Sequence, residues 1–146
     1  MNMHAINILL VEDNEDDIVI IQKVFKKLKL INPLYIVRDG EEAIDFLLNK
    51  GDYSDKEKAP RPGLILLDIN MPRMDGFETL ENIKKEPCLK TIPVIMLTVS
   101  EREEDIVRSY ENGAVSYITK PMDFEQFVKV MEQFEIYWTL VSKIPK

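Results

Sequence analysis

The sequence predicts a single α/β domain in which helices cover both faces of a doubly wound parallel sheet of five strands. Its 146 residues, 45% hydrophobic and 31% charged, have the length and balance of one globular domain. Five short segments rich in branched apolar residues alternate with helical patterns. Because these segments are almost continuously apolar, they are typical of strands buried on both faces, as in a parallel sheet between helices.

The predicted strands follow one another at intervals that leave room for a helix between them. They are Ile6 to Val11, Leu34 to Val37, Leu64 to Leu67, Val94 to Leu97 and Val115 to Ile118. From about Glu15 to Lys29, apolar residues recur at spacings of three and four, which predicts a first helix with one face on the sheet.

Capping residues predict where other helices begin and end. In three places a capping oxygen precedes a Glu or Gln by three residues; the pairs are Asp39 with Glu42, Ser100 with Glu103, and Asp123 with Gln126. Gly113 follows Asn112 where the fourth helix should end in a left-handed residue.

The segment from residue 49 to residue 63 is longer than the usual connection between elements. It contains two glycines and two prolines among charged residues, which predicts a surface loop. The loop is either a recognition feature or an insertion that is tolerated at a small entropic cost.

Composition excludes several classes of protein. The apolar runs are far shorter than the roughly 20 residues that span a bilayer, and the start does not resemble a secretory signal, so we expect a cytoplasmic protein without a membrane span. The single cysteine, Cys88, suits a reducing compartment. A net charge of -7 disfavours direct binding to nucleic acid.

Polar side chains follow four of the predicted strands. Glu12 and Asp13 follow the first, Asp68 follows the third, Thr98 ends the fourth and Lys120 follows the fifth. Because the carboxyl ends of parallel strands meet at one edge of the sheet, these side chains should share a crevice. Each aspartate alone could be a helix cap, but neighbouring carboxylates raise one another's pKa unless a cation joins them. An all-oxygen ligand set favours Mg²⁺.

At these positions the chain resembles the receiver domains of two-component response regulators, from Ile6 to about Val141. The motifs are Leu10-Val11-Glu12-Asp13, the run from Leu67 to Gly76, Leu97-Thr98, and Tyr117-Ile118-Thr119-Lys120-Pro121. The long loop before the third strand and the ending Phe134-Glu135-Ile136-Tyr137-Trp138 resemble regulators that partner phytochrome-type histidine kinases. The resemblance implies one receiver domain over residues 1 to 146 with the (βα)5, flavodoxin-like architecture.

The resemblance also implies a role for each site residue. Asp68 would be the phosphoacceptor, Asp13 a direct Mg²⁺ ligand, Glu12 a ligand through water, and Asn70 a ligand through its backbone carbonyl. Lys120 would contact the phosphoryl oxygens. Such a protein is a signalling switch that is phosphorylated by a histidine kinase, and it is not an enzyme with a separate substrate.

The implied switch couples Thr98 to Tyr117. A phosphoryl group adds negative charge and acceptor oxygens, toward which the Thr98 hydroxyl would move, and Tyr117 would turn inward to fill the vacated space. Alternatively, Tyr117 is a half-buried strand aromatic without a switching role. The resemblance further suggests a cis Lys120–Pro121 bond, and Gly76 is interpreted as supplying positive-φ freedom.

The last helix is predicted to extend from about residue 123 to residue 142 with two apolar faces. One stripe should join the core; it consists of Phe124, Phe127, Val128, Met131, Phe134 and Trp138. A second strip predicts a homodimer through the face of the fourth helix, fifth strand and fifth helix; it consists of Val130, Tyr137, Leu140, Val141 and Ile144. Alternatively, the helix end folds back on its own domain.

Other functions fit the sequence less well. A phosphatase of the haloacid dehalogenase type needs a second aspartate as general acid where this chain has Asn70. A flavin mononucleotide carrier needs a phosphate-binding first loop, and the acidic run from Glu12 to Asp17 would repel phosphate. A phosphotransfer intermediate in a phosphorelay stays possible, whereas a degenerate receiver acting as a scaffold would lack an acceptor or a ligand, and none is missing.

Overall fold

The structure is a computed structural model, and it describes residues 6–120 together with residues 125, 126, 128, 129 and 132. Five strands alternate with four α-helices over residues 6–120, as the sequence predicts for this part of the chain, and the described residues 125, 126, 128, 129 and 132 are helical. The elements are β1 (Ile8–Val11), α1 (Glu15–Lys27), β2 (Leu34–Val37), α2 (Gly40–Leu48), β3 (Leu64–Leu67), α3 (Gly76–Lys85), β4 (Val94–Thr98), α4 (Glu103–Glu111) and β5 (Ser116–Thr119). The predicted strand segments differ from these by at most two residues at either end.

All strand pairs in the sheet are parallel, in the order β2-β1-β3-β4-β5. The order reverses between the neighbouring strands β1 and β3, so the crevice beyond their carboxyl ends is the switch point where α/β sheets bind ligands. Val11 pairs with Leu67 in this register. The residues that follow these two strands therefore lie side by side.

Apolar residues bury both faces of the sheet, which confirms the predicted doubly covered architecture. Leu9, Val11 and Ile65 contribute to a cluster with residues of α2 and α3 on one face. Their neighbours in sequence, such as Leu10 and Leu66, point to the other face and form a cluster with residues of α1. Since successive strand side chains point to opposite faces, the continuously apolar strands serve both clusters.

The predicted helix starts are correct for α2 and wrong for α4. Asp39 caps α2, because its Oδ1 accepts a hydrogen bond of 2.9 Å from the backbone of Glu42. Helix α4 begins after Arg102, which has extended backbone dihedrals and no side-chain cap. The Ser100 hydroxyl accepts from the Arg102 amide at 3.3 Å and donates to the Asp105 carboxylate at 2.7 Å, so it caps no amide within α4. The predicted cap at Asp123 lies outside the described residues.

The segment from residue 49 to residue 63 is fixed to the body of the domain. The Asn49 side chain donates to the carbonyls of Tyr53 and Ala59 at 3.1 and 2.9 Å, and Ala59 is buried. The Tyr53 hydroxyl donates to Glu42 on α2 at 2.8 Å. The two interpretations of this segment, a recognition feature or a tolerated insertion, both stay predictions.

The prediction that α4 ends in a left-handed residue is confirmed, since Gly113 has a φ of +100°. Within the predicted last helix, Val128 is buried in the cluster with α1, as its apolar stripe predicts. The rest of that stripe, the second apolar strip and the predicted helix ends near 123 and 142 lie outside the described residues. None of the helices in the described part of the chain is long and apolar enough to cross a membrane.

Candidate functional site

Three carboxylates meet at the carboxyl ends of β1 and β3. Glu12, Asp13 and Asp68 each offer an oxygen, and these oxygens lie within 4.8 Å of one another. Glu12 and Asp68 are buried, whereas Asp13 is exposed to solvent. Their proximity follows from the pairing of Val11 with Leu67, because each acidic residue comes directly after or close to one of these partners.

Lys120 brings a positive charge into the same crevice from the end of β5. Its ammonium forms ion pairs with Glu12, with Asp17 at 2.7 Å and with Asp68 at 3.7 Å. The backbone amide of Lys120 donates to the Thr98 carbonyl at 2.6 Å, which ties the start of the following segment to β4. The predicted meeting of these side chains is therefore present in the structure.

The electrostatics of the crevice favour a further cation. Burial raises the pKa of Glu12 to about 7, although the hydrogen bond from Lys120 opposes this effect. Burial also raises the pKa of Asp68, against the attraction of Lys120. Although burial lowers the pKa of Lys120, its hydrogen bonds to Asp17 and Glu12 raise it overall. One ammonium thus leaves the carboxylates of the crevice under-neutralised.

The donor set fits a hard divalent cation. All three clustered side chains supply carboxylate oxygens, which Mg²⁺, Mn²⁺ and Ca²⁺ accept, and Asn70 lines the same crevice. Asp13 lies on the open side of the cluster, where an ion can keep part of its hydration shell.

Hydrogen bonds position the Asp68 carboxylate and its neighbour Thr98. The backbone amide of Ile69 donates to Oδ1 of Asp68 at 2.9 Å, so that Oδ2 is the oxygen facing Lys120. Thr98 is fully buried, and its nearby hydroxyl lowers the pKa of the Asp68 carboxyl, against the larger effect of burial.

Tyr117 connects this site to the loop before α4. Its hydroxyl donates to the carbonyl of Ser100 at 2.9 Å, and the Ser100 amide donates to the Thr98 hydroxyl at 3.4 Å. The Tyr117 ring packs as a partly buried residue against the apolar cluster of α2 and α3. The predicted switch pair is therefore joined through Ser100 and has no direct hydrogen bond among those described.

The loop after β3 is shaped by Gly76 and Arg73. A Cβ at Gly76 would lie 2.2 Å from the carbonyl oxygen of Asp68, so the position requires glycine for close approach. This corrects the expectation of a positive φ at Gly76, because Arg73 is the residue of this loop with a left-handed φ, of 65°. The Arg73 guanidinium donates to Asp39 through Nε at 3.0 Å.

Two further findings concern Asp17 and the bond between Lys120 and Pro121. The sequence does not predict Asp17 as a site residue, and its signal is weak, because it is one of three acidic residues in the first turn of α1, where each suits the helix N-terminus. The predicted cis bond between Lys120 and Pro121 lies outside the described residues.

Comparison with known proteins agrees with this geometry. The family model "Response regulator receiver domain" matches residues 8–132. Response regulator Rcp1 of Synechocystis sp. is 42% identical over 138 residues, which are 94% of this chain and 92% of Rcp1.

Solved structures show the same similarity. The phosphorylated cyanobacterial phytochrome response regulator RcpA is 39% identical with a TM-score of 0.87, over 98% of this chain and 100% of RcpA. The Mn²⁺-bound form of Rcp1 is 41% identical with a TM-score of 0.84, over 97% and 99% of the two chains. Since the match extends over nearly the whole described chain and includes every strand end of the crevice, the chain belongs to the response regulator receiver domains of two-component signalling.

Proposed function

We propose that the protein is a phosphorylation-activated switch in which Asp68 accepts a phosphoryl group from a histidine kinase in a Mg²⁺-dependent reaction. The observation that carries the proposal is the position of the buried Asp68 carboxylate. It shares a cation cluster with Glu12 and Asp13, and its Oδ2 lies 3.7 Å from the Lys120 ammonium. Similar proteins support it, since RcpA has been crystallised in a phosphorylated form and Rcp1 with Mn²⁺.

The chain supplies the groups that phosphoryl transfer needs. Oδ2 of Asp68 would form a bond to phosphorus as the bond to the donor histidine nitrogen breaks, and that nitrogen would keep the electron pair. Asp13, Asp68 and the Asn70 carbonyl, with Glu12 acting through water, would hold Mg²⁺, which would neutralise charge on the transferring oxygens. The ammonium of Lys120 lies close enough to contact a phosphoryl oxygen.

The phosphoryl group would be sensed through Thr98. It adds about -1.5 to -2 charge and three acceptor oxygens beside a buried hydroxyl. Movement of Thr98 toward these oxygens would break its contact with the Ser100 amide and would change the loop whose carbonyl holds Tyr117. The change thereby reaches the surface formed by α4 and β5.

The same proposal includes partners and place of action. Rcp1 and RcpA are named as a response regulator and a phytochrome response regulator, so we infer a sensor histidine kinase of the phytochrome type as donor. We infer that the protein acts in the cytoplasm as a signalling protein and not as an enzyme on a separate substrate. Its net charge of -7 argues against direct binding to nucleic acid.

A homodimer through the α4–β5 face is also proposed. Val107 and Tyr110 on α4 are each 48% exposed, and Val115 before β5 is 50% exposed. These side chains place exposed apolar area on α4 and directly before β5, where a second copy could cover it.

Intact mass spectrometry after incubation with Mg²⁺ and acetyl phosphate tests the acceptor. We expect one Mg²⁺-dependent, base-labile phosphoryl adduct on the native chain and none on Asp68→Asn. Asp45→Asn, an exposed aspartate on α2, is the matched control and should keep the adduct. A native chain that binds Mg²⁺ but gains no adduct would contradict the proposal and favour a scaffold.

A further inference from the structure

Asp17 lies against the site in a position to which the resemblance assigns no role. It belongs to the first turn of α1, and its Oδ2 is 2.7 Å from Nζ of Lys120. Its side chain is 28% exposed, so it lies at the rim of the crevice beside a Lys120 side chain that is 5% exposed. Asp17 is not part of the cluster of carboxylates that can share a metal ion.

The hydrogen bonds of Lys120 show what Asp17 contributes. An ammonium has three N–H donors; here Glu12 and Asp17 each accept one. Nζ of Lys120 lies 3.7 Å from Oδ2 of Asp68, which is too far for a hydrogen bond, so these two groups attract each other by charge alone. Lys120 is thus anchored at two carboxylates, of which one belongs to the metal cluster and the other does not.

Cation binding would affect the two carboxylate partners of Lys120 differently. A divalent cation on Glu12 and the ammonium of Lys120 are like charges that compete for one buried carboxylate, and their repulsion is strong away from water. Asp17 offers the ammonium a second anion outside the cluster. Without Asp17, the close carboxylate partner described for Lys120 would be Glu12, the residue that the cation also needs.

We propose that Asp17 is a positioning residue for Lys120. Its carboxylate holds the ammonium at the rim of the cluster, so that Glu12 is released to the divalent cation while Nζ stays within reach of Asp68. This inference rests on the proposed function, because it assigns a role within the same Mg²⁺ site.

Isothermal titration calorimetry with MgCl₂ tests the inference without requiring phosphorylation. We expect Asp17→Asn to raise the Mg²⁺ dissociation constant about tenfold, the lower end for loss of a group that orients a metal site. Asp16→Asn is the matched control, since it removes the same charge from an exposed position in the same helical turn. It should change the constant less than about twofold, as expected for a screened surface charge.

A double-mutant cycle separates positioning from simple attraction between Asp17 and the cation. In a Lys120→Met background no ammonium competes for Glu12, so adding Asp17→Asn should change Mg²⁺ binding no more than Asp16→Asn does. An equal loss of affinity in both backgrounds would overturn the proposal, and so would an Asp17→Asn effect as small as that of the control. If Asp17→Asn does not fold, as judged by thermal melting, Asp17→Ser takes its place in the same cycle.

The cycle and the mass experiment fail in different ways. A native chain without a phosphoryl adduct would contradict the proposed function, while the calorimetric cycle would still report whether Asp17 and Lys120 are coupled. A chain that is phosphorylated on Asp68 but shows no coupling would contradict the inference alone.

Discussion

Glu12 is a residue at which burial and charge oppose each other. Its side chain is 1% exposed, and burial raises its pKa to about 7 even though Lys120 contacts it. A carboxylate in this state is stabilised by protonation or by a cation. The same property that suits Glu12 to metal binding therefore makes the metal-free domain sensitive to pH.

We expect the metal-free domain to lose stability as the pH rises from about 5 to about 7. In this window the unfolded Glu12, with an ordinary pKa of 4.5, has released its proton, whereas the folded residue retains it up to a pKa of about 7. The folded state binds more protons, so the free energy of unfolding falls with rising pH. The raised pKa of Asp68 acts in the same direction.

Urea unfolding at a series of pH values in the presence of a chelator measures this slope. Glu12→Gln, which cannot ionise, should flatten it, and saturating Mg²⁺ should reverse or remove it because the cation binds the deprotonated form. Asp39, whose pKa is lowered, loses its contribution only below its ordinary value of 3.8 and so leaves this window unchanged. A stability that rises from pH 5 to pH 7 without metal would contradict the prediction.

The sequence predicts some site residues better than others for a geometric reason. The pair Glu12-Asp13 follows β1 and Asp68 follows β3, and parallel pairing makes strand ends neighbours wherever they stand in the sequence. Asp17 stands on a helix, where its contact with Lys120 depends on how α1 is rotated on the sheet. The sequence predicts a positive φ at Gly76. Glycine is required there because a Cβ would collide with the Asp68 carbonyl, and this close approach is not encoded in the local sequence.

At the scale of elements, Asp39 connects the start of α2 with the loop after β3, at the edge of the site. It caps α2 through the Glu42 amide, and its other oxygen accepts from Arg73 in the loop after β3. The amide of Gly40 also donates to the Met74 carbonyl of that loop, at 3.3 Å. These contacts connect the start of α2 to the loop that carries Asn70.

We expect Asp39→Ala to lower the free energy of unfolding by about 1 to 2 kcal/mol, chiefly because α2 loses its cap. Asp39→Asn should cost less, since asparagine also caps well but gives up the charge that faces Arg73. Urea unfolding measures both variants, with Asp45→Ala, an exposed residue on the same helix, as the control. Equal losses for the alanine and asparagine variants would show that the ion pair, and not the cap, carries the effect.

Element boundaries show where sequence patterns stop being informative. Strands Leu34–Val37 and Leu64–Leu67 have the predicted ends, because turn residues and charges flank their apolar runs. The predicted start of α4 is wrong, since Ser100 fits a capping box in sequence but its hydroxyl accepts from the Arg102 amide at 3.3 Å and not from the Glu103 amide. Such a choice between two local hydrogen bonds depends on the path of the loop after Thr98.

At the scale of the whole molecule, the proposed dimer must overcome the repulsion of two chains that each carry a charge of -7. Apolar burial at Val107, Tyr110 and Val115 supplies attraction that salt does not weaken, whereas repulsion between the two surfaces is screened by salt. If apolar contact drives association, the dimer should therefore strengthen as ionic strength rises. Association through ion pairs would show the opposite dependence.

Analytical ultracentrifugation with Mg²⁺ and acetyl phosphate, across a range of salt concentrations, measures this association. We expect a dimer that Val107→Asp abolishes, because the variant buries an unpaired carboxylate in the apolar contact. Val19→Asp is the matched control, since it adds the same charge at an exposed valine on α1 and should leave the dimer intact. A monomer at high protein concentration in both phosphorylation states would contradict the prediction, and a loss of the dimer in both variants would assign the effect to net charge instead of to the α4–β5 face.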